Sequence, residues 1–350
     1  MAKATKAKTK LQSQHIVPRI VGYGFSVPAK IRTNDDPIFD WLKTHEPRGT
    51  DMFQGYDQRR VLNTGETLMT IMLPACIKAL TDAGTQTSEV DMLLGAGSIS
   101  PFINPNILSQ LHRDLELPER CWPIPVCNVY SNFNSSVLMA DALIRAGRAD
   151  TILICVGGNW TRNVDYHTPE AISAGDGAGA IVMQKSDDRT KWTLEDSCTL
   201  VDTTYYGGMY TSGDKFDLGV VNEGDVSLYS DHHFHITDLG KQGFIEFGIK
   251  AAATSVLNVM KRNNITSDQI TLFPNQSSAQ LIDPWLKAIK PAQNIDTLKT
   301  FANMTVATTV VNFAYAHKWR LITQDYCALM GIGPDMHSNT ILMSRESSAT

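Results

Sequence analysis

Residues 87–94 read TSEVDMLL, and residues 266–273 read TSDQITLF. Each follows a long helical pattern and a short polar turn, and each precedes a loop and a second helical pattern. An echo of this kind in matching surroundings marks a duplicated supersecondary unit, because solenoid repeats recur at much shorter spacing. The chain therefore reads as two related α/β halves, 15–185 and 186–350, behind a disordered basic tail over 1–14.

The bulk properties agree with that reading. A chain of 350 residues holds one large domain or two medium ones. Apolar residues make up 43% and charged residues 19%, which suits a protein with a substantial core. The net charge is −5, and the only dense run of lysines is the opening MAKATKAKTK, so no nucleic-acid partner is expected. No apolar stretch follows those lysines, as a signal peptide requires, and no run reaches the roughly 18–20 apolar residues of a membrane helix. The expectation is a cytoplasmic protein without a membrane partner. The six cysteines include no CxxC pair and read as reduced thiols.

Outward from the echo, apolar runs alternate with helical patterns, the signature of an α/β layered fold. Strands are expected at RIVGYGFSV, DMLLGAG, WPIPVC, DTILICVGG, AGAIVM, ITLFP, DYCALMGIG and NTILMS. Helices are expected over 64–84, 106–116, 133–146, 241–263, 277–288 and 304–318. Asn63 and Glu66 have the spacing of a capping box for the first of these.

Several motifs carry chemistry less clearly. GDGAGAIVM (175–183) is glycine-rich but enters a strand instead of joining a strand to a helix, so it reads as tight backbone packing and not as a nucleotide loop. SDHHFHITD holds His232, His233 and His235; the last two would share a strand face, but a metal site needs further ligands, and none is expected. No GxSxG elbow is present. Asn275 in FPNQSSAQL and Asn303 in FANMTVATTVV are each placed where a strand end meets a new helix, the region where open α/β sheets tend to bind ligands. PVCNVYSNF (125–133) is read as the same kind of turn, with a thiol, Cys127, and a phenol, Tyr130.

Together these segments resemble the thiolase superfamily, and most of all β-ketoacyl-acyl-carrier-protein synthase III. GDGAGAIVM is similar to that family's GDGAGA strand, FHITDLGKQGF to its histidine-bearing IHLTMAG-EVF segment, and ITLFPNQSSAQLI to its V-P-H-Q-A-N segment. FANMTVATT is similar to G-N-T-S-A-A-S, ALMGIGPDMHSNTILM to the glycine loop and last strand, and YDQRRVL to the I-R-E-R-H-I turn. The resemblance spans nearly the whole chain and implies a five-layered α-β-α-β-α thiolase-like fold of two duplicated halves.

The resemblance also implies a Cys-His-Asn triad, which this sequence lacks. Aligning Phe133 with the Phe of the family's A-C-A-G-F, without a gap to Gly147, puts Tyr130 at the nucleophile position. The histidine position falls on Asn275, and only the asparagine is kept, as Asn303. The expected site is thus Tyr130, Asn275 and Asn303, with the 331–333 loop close by. A phenol titrates near ~10 and would need a strong base to attack a thioester, and an amide cannot take up a proton as imidazole does. Tyr130 is also bulky enough to plug the acyl tunnel that the family keeps open. Cys127 is the alternative nucleophile, at the cost of a three-residue gap. Its expected place is inside the strand as a buried core thiol.

Three functions follow. The first is a ketosynthase III-like subunit of a condensing or acyltransferase complex in natural-product or antibiotic biosynthesis, a homodimer or a heteromer with a catalytic thiolase-superfamily partner. The second is a divergent acyltransferase acting on acyl thioesters, from CoA or acyl carrier protein, without a covalent cysteine intermediate. The third is a non-catalytic ligand-binding or assembly protein. None calls for a cofactor.

Overall fold

The computed structural model describes residues 16–102, 105–212 and 233–347. The expected basic tail and His232 lie outside the described residues. Ten strands build two five-stranded sheets. The first holds β1 (Val17–Ser26), β2 (Met92–Ser98), β3 (Trp122–Pro125), β4 (Thr151–Asn159) and β5 (Asp176–Ser186) in the spatial order β1-β5-β4-β2-β3. The second holds β6 (Thr193–Val201), β7 (Ile270–Phe273), β8 (Gln293–Asn294), β9 (Tyr326–Gly333) and β10 (His337–Ser344) in the order β6-β10-β9-β7-β8. Adding five to each number of the first order gives the second. Directions match as well: β1, β5 and β4 pair antiparallel, and β4, β2 and β3 pair parallel. The corresponding strands of the second sheet do the same.

The echo falls on equivalent places. Its polar starts form short turns closed by capping boxes, Gln86 with Glu89 and Thr266 with Gln269. Its apolar ends open β2 and β7, each the second strand from its edge with parallel neighbours on both sides. Strands covered on both faces need continuous apolar runs, and every residue of β7, and of β4 up to its last, is buried.

Six helices complete the layers. Helices α1 (Leu68–Ala83) and α2 (Ile107–Asp114) cover the outer face of the first sheet. Helix α4 (Ile249–Arg262) covers the outer face of the second, with α5 (Ala279–Ile289) beside it. Helices α3 (Asn132–Arg145) and α6 (Thr308–Lys318) lie between the sheets and touch strands of both. The order is α-β-α-β-α. The central core joins Phe133 and Val137 of α3 to Val310 and Phe313 of α6. Asn134 crosses it, donating from Nδ2 to the carbonyls of Leu329 (2.9 Å) and Asn339 (3.2 Å) in the second sheet.

GDGAGAIVM is most of β5, and its glycines do serve close packing. A Cβ on Gly179 would fall 2.8 Å from the Val310 side chain and 2.9 Å from its carbonyl carbon, so α6 rests directly on the strand backbone. The neighbouring Asp176 is fully buried and accepts from the Leu62 and Thr161 amides at 2.8 and 3.0 Å.

Local starts differ from expectation. The first long helix begins at Leu68 behind a Thr67–Thr70 box, while the Asn63 amide donates to Glu66 Oε2 (2.6 Å) and only closes the turn before it. The expected helix over 241–263 is divided into Asp238–Gly243, a π-helical turn Phe244–Gly248, and α4. No helix among the described residues is long and apolar enough to cross a membrane.

Candidate functional site

The site forms where the loop from β3 to α3 meets the loops of the second half. β3 is an edge strand of four residues, and its ladder ends with the Val126 amide bonded to the Gly95 carbonyl at 2.7 Å. Beyond it the chain turns tightly. The Ser131 amide donates to the Asn128 carbonyl (2.8 Å), and buried Asn132 Nδ2 donates back to the Val126 carbonyl (2.7 Å). Tyr130, at the tip, has φ +65°, in the left-handed region that non-glycine residues seldom occupy.

That turn corrects the expectation for Cys127. Its thiol is exposed and lies in the loop after β3, not buried within a strand. The reason is the shortness and edge position of β3: side chains alternate in direction, so Val126 points inward and Cys127 outward, with no further strand to cover it. Cys127 does not line the cavity described next.

A cavity of about 720 Å³ lies between loops of both halves. Tyr130 and Asn303 both line it, together with Trp160, Ile172, Phe234 and Ile332. Charged side chains at its rim are mixed in sign: Arg48 and Lys241 against Asp51, Glu170 and Asp283. A space of this volume with apolar walls and few polar groups suits a small organic ligand.

Asn275 sits one layer behind the wall. It is buried, and its Nδ2 donates to the Ile332 carbonyl at 3.5 Å, while Ser277 Oγ donates to its Oδ1. The fold therefore brings Tyr130 and Asn303 to one cavity and leaves Asn275 as a brace for the β9 end. Asn303 is not at a strand end. It follows the short helix Leu298–Phe301 and the left-handed Ala302 (φ +58°), and its Oδ1 accepts from the Thr305 amide at 2.8 Å. Its backbone bridges to the stretch before β5, accepting from the Gly175 amide (3.0 Å) and donating to the Ser173 carbonyl (2.8 Å). Residues 331–333, expected as a loop, are instead the last three residues of β9, held by pairing with β10. They do lie close by, since a Cβ on Gly331 would meet the Tyr130 carbonyl oxygen at 2.9 Å.

The electrostatics disfavour a phenolate. Burial of the Tyr130 hydroxyl raises its pKa above the ordinary value near 10, and among the described residues no basic group offsets that. Its hydroxyl has no hydrogen-bond partner among the described residues. Elsewhere in the lining, burial pushes Tyr56 up to about 12 as its hydroxyl donates to the Ser277 carbonyl (3.0 Å). Arg59, from the YDQRRVL turn, is fully buried. Burial lowers its guanidinium to about 10, yet Nε donates to the Ile172 carbonyl (2.6 Å) and the group packs 5.1–5.7 Å from the ring centres of Phe39, Tyr56 and Phe53. Arg59 thus fixes two cavity-lining residues without reaching the cavity.

The histidine segment contributes walls rather than ligands. His233 and His235 lie on the strand His233–Ile236, which pairs with Met209–Ser212, and the His235 ring stacks on Tyr210 at 5.0 Å. Among the described residues no group of three or more His, Cys, Asp or Glu could hold a metal.

One constellation was not anticipated from the sequence. Ser131 Oγ lies 2.7 Å from His337 Nε2, and His337 Nδ1 lies 2.5 Å from Asp335 Oδ1. No motif announces it, because the serine and histidine are 206 positions apart. Only GPDMHS, with Asp and His two residues apart in a glycine turn, offers a trace.

Comparison with known proteins agrees with this architecture. Residues 128–199 match the family model described as 3-oxoacyl-[acyl-carrier-protein] synthase III. The β-ketoacyl-[acyl-carrier-protein] synthase III of Rickettsia bellii is 23% identical over 299 residues, covering 83% of this chain and 87% of the relative. That of Ehrlichia ruminantium is 22% identical over 326 residues, covering 90% and 95%. Among solved structures, the priming β-ketosynthase of the R1128 polyketide biosynthetic pathway aligns with a TM-score of 0.81 at 17% identity, covering 95% of this chain and 98% of that one. OleA of Xanthomonas campestris, solved with lauric acid and lauroyl-CoA, aligns at 0.78 and 18% identity, covering 94% and 99%. The chain has the thiolase-type fold and resembles ketosynthase III along most of its length.

Proposed function

We propose that this ketosynthase III-like chain is a subunit of a condensing or acyl-transfer complex in natural-product biosynthesis, holding an acyl thioester without forming an acyl-cysteine itself. The observation that carries the proposal is Tyr130 at the head of α3, where the resemblance places the nucleophile. Its phenol is kept protonated by burial and has no base beside it among the described residues. Asn275, at the position of the family histidine, is engaged with Ile332 and Ser277 and has no proton-accepting ring nitrogen. Cys127 is three residues away, outside the cavity wall. In this reading a partner with the same fold and an intact cysteine performs the covalent step.

Intact-protein mass spectrometry after incubation with octanoyl-CoA or an octanoyl carrier protein tests the first half. The expected result is no mass gain, and an acyl adduct on Tyr130 or Cys127 would refute it. Co-purification from the native host tests the second half: the expected result is a thiolase-fold partner, and recovery of the chain alone would refute it.

The cavity supports a second reading. A ligand-sized space remains open beside Asn303, so the chain can hold donor and acceptor together and act as a divergent acyltransferase through proximity alone. Single-turnover acyl transfer by the isolated protein, without an adduct, would favour it.

A further inference from the structure

Ser131, His337 and Asp335 have the connectivity of a serine-hydrolase relay. One tautomer satisfies all three: Nδ1–H donates to Asp335, and Nε2 accepts the Ser131 proton. The imidazole is seated as well as bonded. A Cβ on Gly333 would fall 1.9 Å from His337 Cε1, so only glycine leaves room for the ring. Asp335 is half-exposed, while His337 is buried.

The serine is nevertheless placed to hold and not to attack. It has no exposed surface and does not line the cavity. Its hydroxyl faces the second sheet, where a Cβ on Gly331 would meet it at 2.9 Å. Its chain neighbour is Tyr130, whose left-handed backbone is strained and persists only if the surroundings impose it. Tyr130 lines two spaces: the 720 Å³ cavity and a second one of about 320 Å³, which Val129, Thr305 and Val306 help to line. Trp160, Phe234, Met209 and Pro334 also border both. Pro334 directly precedes Asp335. The relay therefore ties together two members of one wall, Tyr130 from the first half and Pro334 from the second.

We propose that Ser131, His337 and Asp335 form a positioning clamp that fixes Tyr130 and Pro334 as a partition between the two chambers, limiting the site to short acyl chains. The limit on chain length rests on the acyl-thioester reading above; the clamp itself does not.

The test uses the full-length protein with His337→Ala, Ser131→Ala and Asp335→Ala, and Tyr130→Gly as the opened reference. Calorimetric binding of acetyl-, octanoyl- and dodecanoyl-CoA gives a chain-length profile. Ultraviolet titration against Tyr130→Phe reports the Tyr130 phenol and needs no ligand. Wild type should gain no affinity from octanoyl to dodecanoyl. Tyr130→Gly should gain roughly tenfold or more from the extra buried methylenes. The clamp variants should gain part of this, and their Tyr130 should titrate closer to ~10 as water reaches it. If His337→Ala unfolds, Asp335→Ala, altered at a half-exposed side chain, supplies the same readouts. Folded variants with the wild-type profile and wild-type Tyr130 titration would overturn the clamp, as would labelling of Ser131 in the wild type by a fluorophosphonate. If no variant binds acyl-CoA while the titration still shifts, the clamp stands and the acyl-thioester reading falls.

Discussion

The heads of the two central helices solve one problem in different ways. Each is preceded by a non-glycine residue in the left-handed region, Tyr130 (φ +65°) before α3 and Thr305 (φ +49°) before α6. Both residues border the smaller chamber. Before α6 the strain is held locally: Asn303 Oδ1 takes the Thr305 amide, and Thr308 Oγ1 takes the Met304 amide at 3.1 Å. Before α3 it is held across the molecule, through the buried pair of Ser131 and His337. The scaffold is duplicated, but the loops that close it are not, and the cavity lies where the unlike loops meet.

The largest expected effect breaks the seat of α6. Gly179→Val places two methyl groups where Val310 already stands, and should cost about 3 kcal/mol or more through overpacking. Chemical denaturation measures it; a change below ~1 kcal/mol would show that the helix can move off the sheet.

The tails of the two helices differ in their response to acid. Arg145 in the last turn of α3 pairs with Asp141 at 2.7 Å, whereas His317 in the last turn of α6 is held neutral. Burial lowers its pKa to about 3, with the positive charges of Arg345 and Lys191 adding to the shift, and its Nε2 accepts from Trp192 Nε1 at 2.6 Å. The unfolded chain protonates this group near ~6.5. Its contribution is complete above that pH and declines from there towards pH 3, because only the unfolded state gains the proton. About 2 kcal/mol should be lost by pH 5. His317→Gln should remove that part of the acid slope in denaturant midpoints measured from pH 7 to pH 4.5; an unchanged slope would mean that other groups carry it.

Thr305→Gly sharpens the comparison directly. Glycine accepts the left-handed backbone without strain, and the substitution removes one buried, unbonded hydroxyl. A gain of up to ~1 kcal/mol in thermal or denaturant stability is expected. A loss would show that the Thr305 side chain stabilises α6 by packing.

The smallest effect concerns Cys127. Being exposed, it should tolerate Cys127→Ala within about 0.5 kcal/mol. A thiol reagent should modify it rapidly while the five buried cysteines stay protected until unfolding. Slow modification of the native protein would place it at a covered surface.

Much of the fold was legible because buried parallel strands must be apolar throughout. DMLLGAG, DTILICVGG and DYCALMGIG show this, and the echo set the symmetry. The strand Thr193–Val201 was missed because it is an edge: its polar Glu195, Asp196 and Thr199 interrupt the apolar pattern. The strand Gln293–Asn294 is too short to leave a periodicity. The site was legible only in part. Tyr130 and Asn303 could be placed through local resemblance to known motifs. Cys127 was misplaced because its direction depends on where β3 ends, and one residue reverses it. The clamp was invisible because it joins a loop of the first half to a turn of the second, and no local pattern records such a meeting.

The two carbonyls that Asn134 engages are 195 and 205 positions further along the chain. A helix of the first half is therefore satisfied only after the last two strands of the second have paired. Such long separations slow the search for the native state and bind its parts into one event. The halves should melt together, in a single transition, even though each repeats the other's topology.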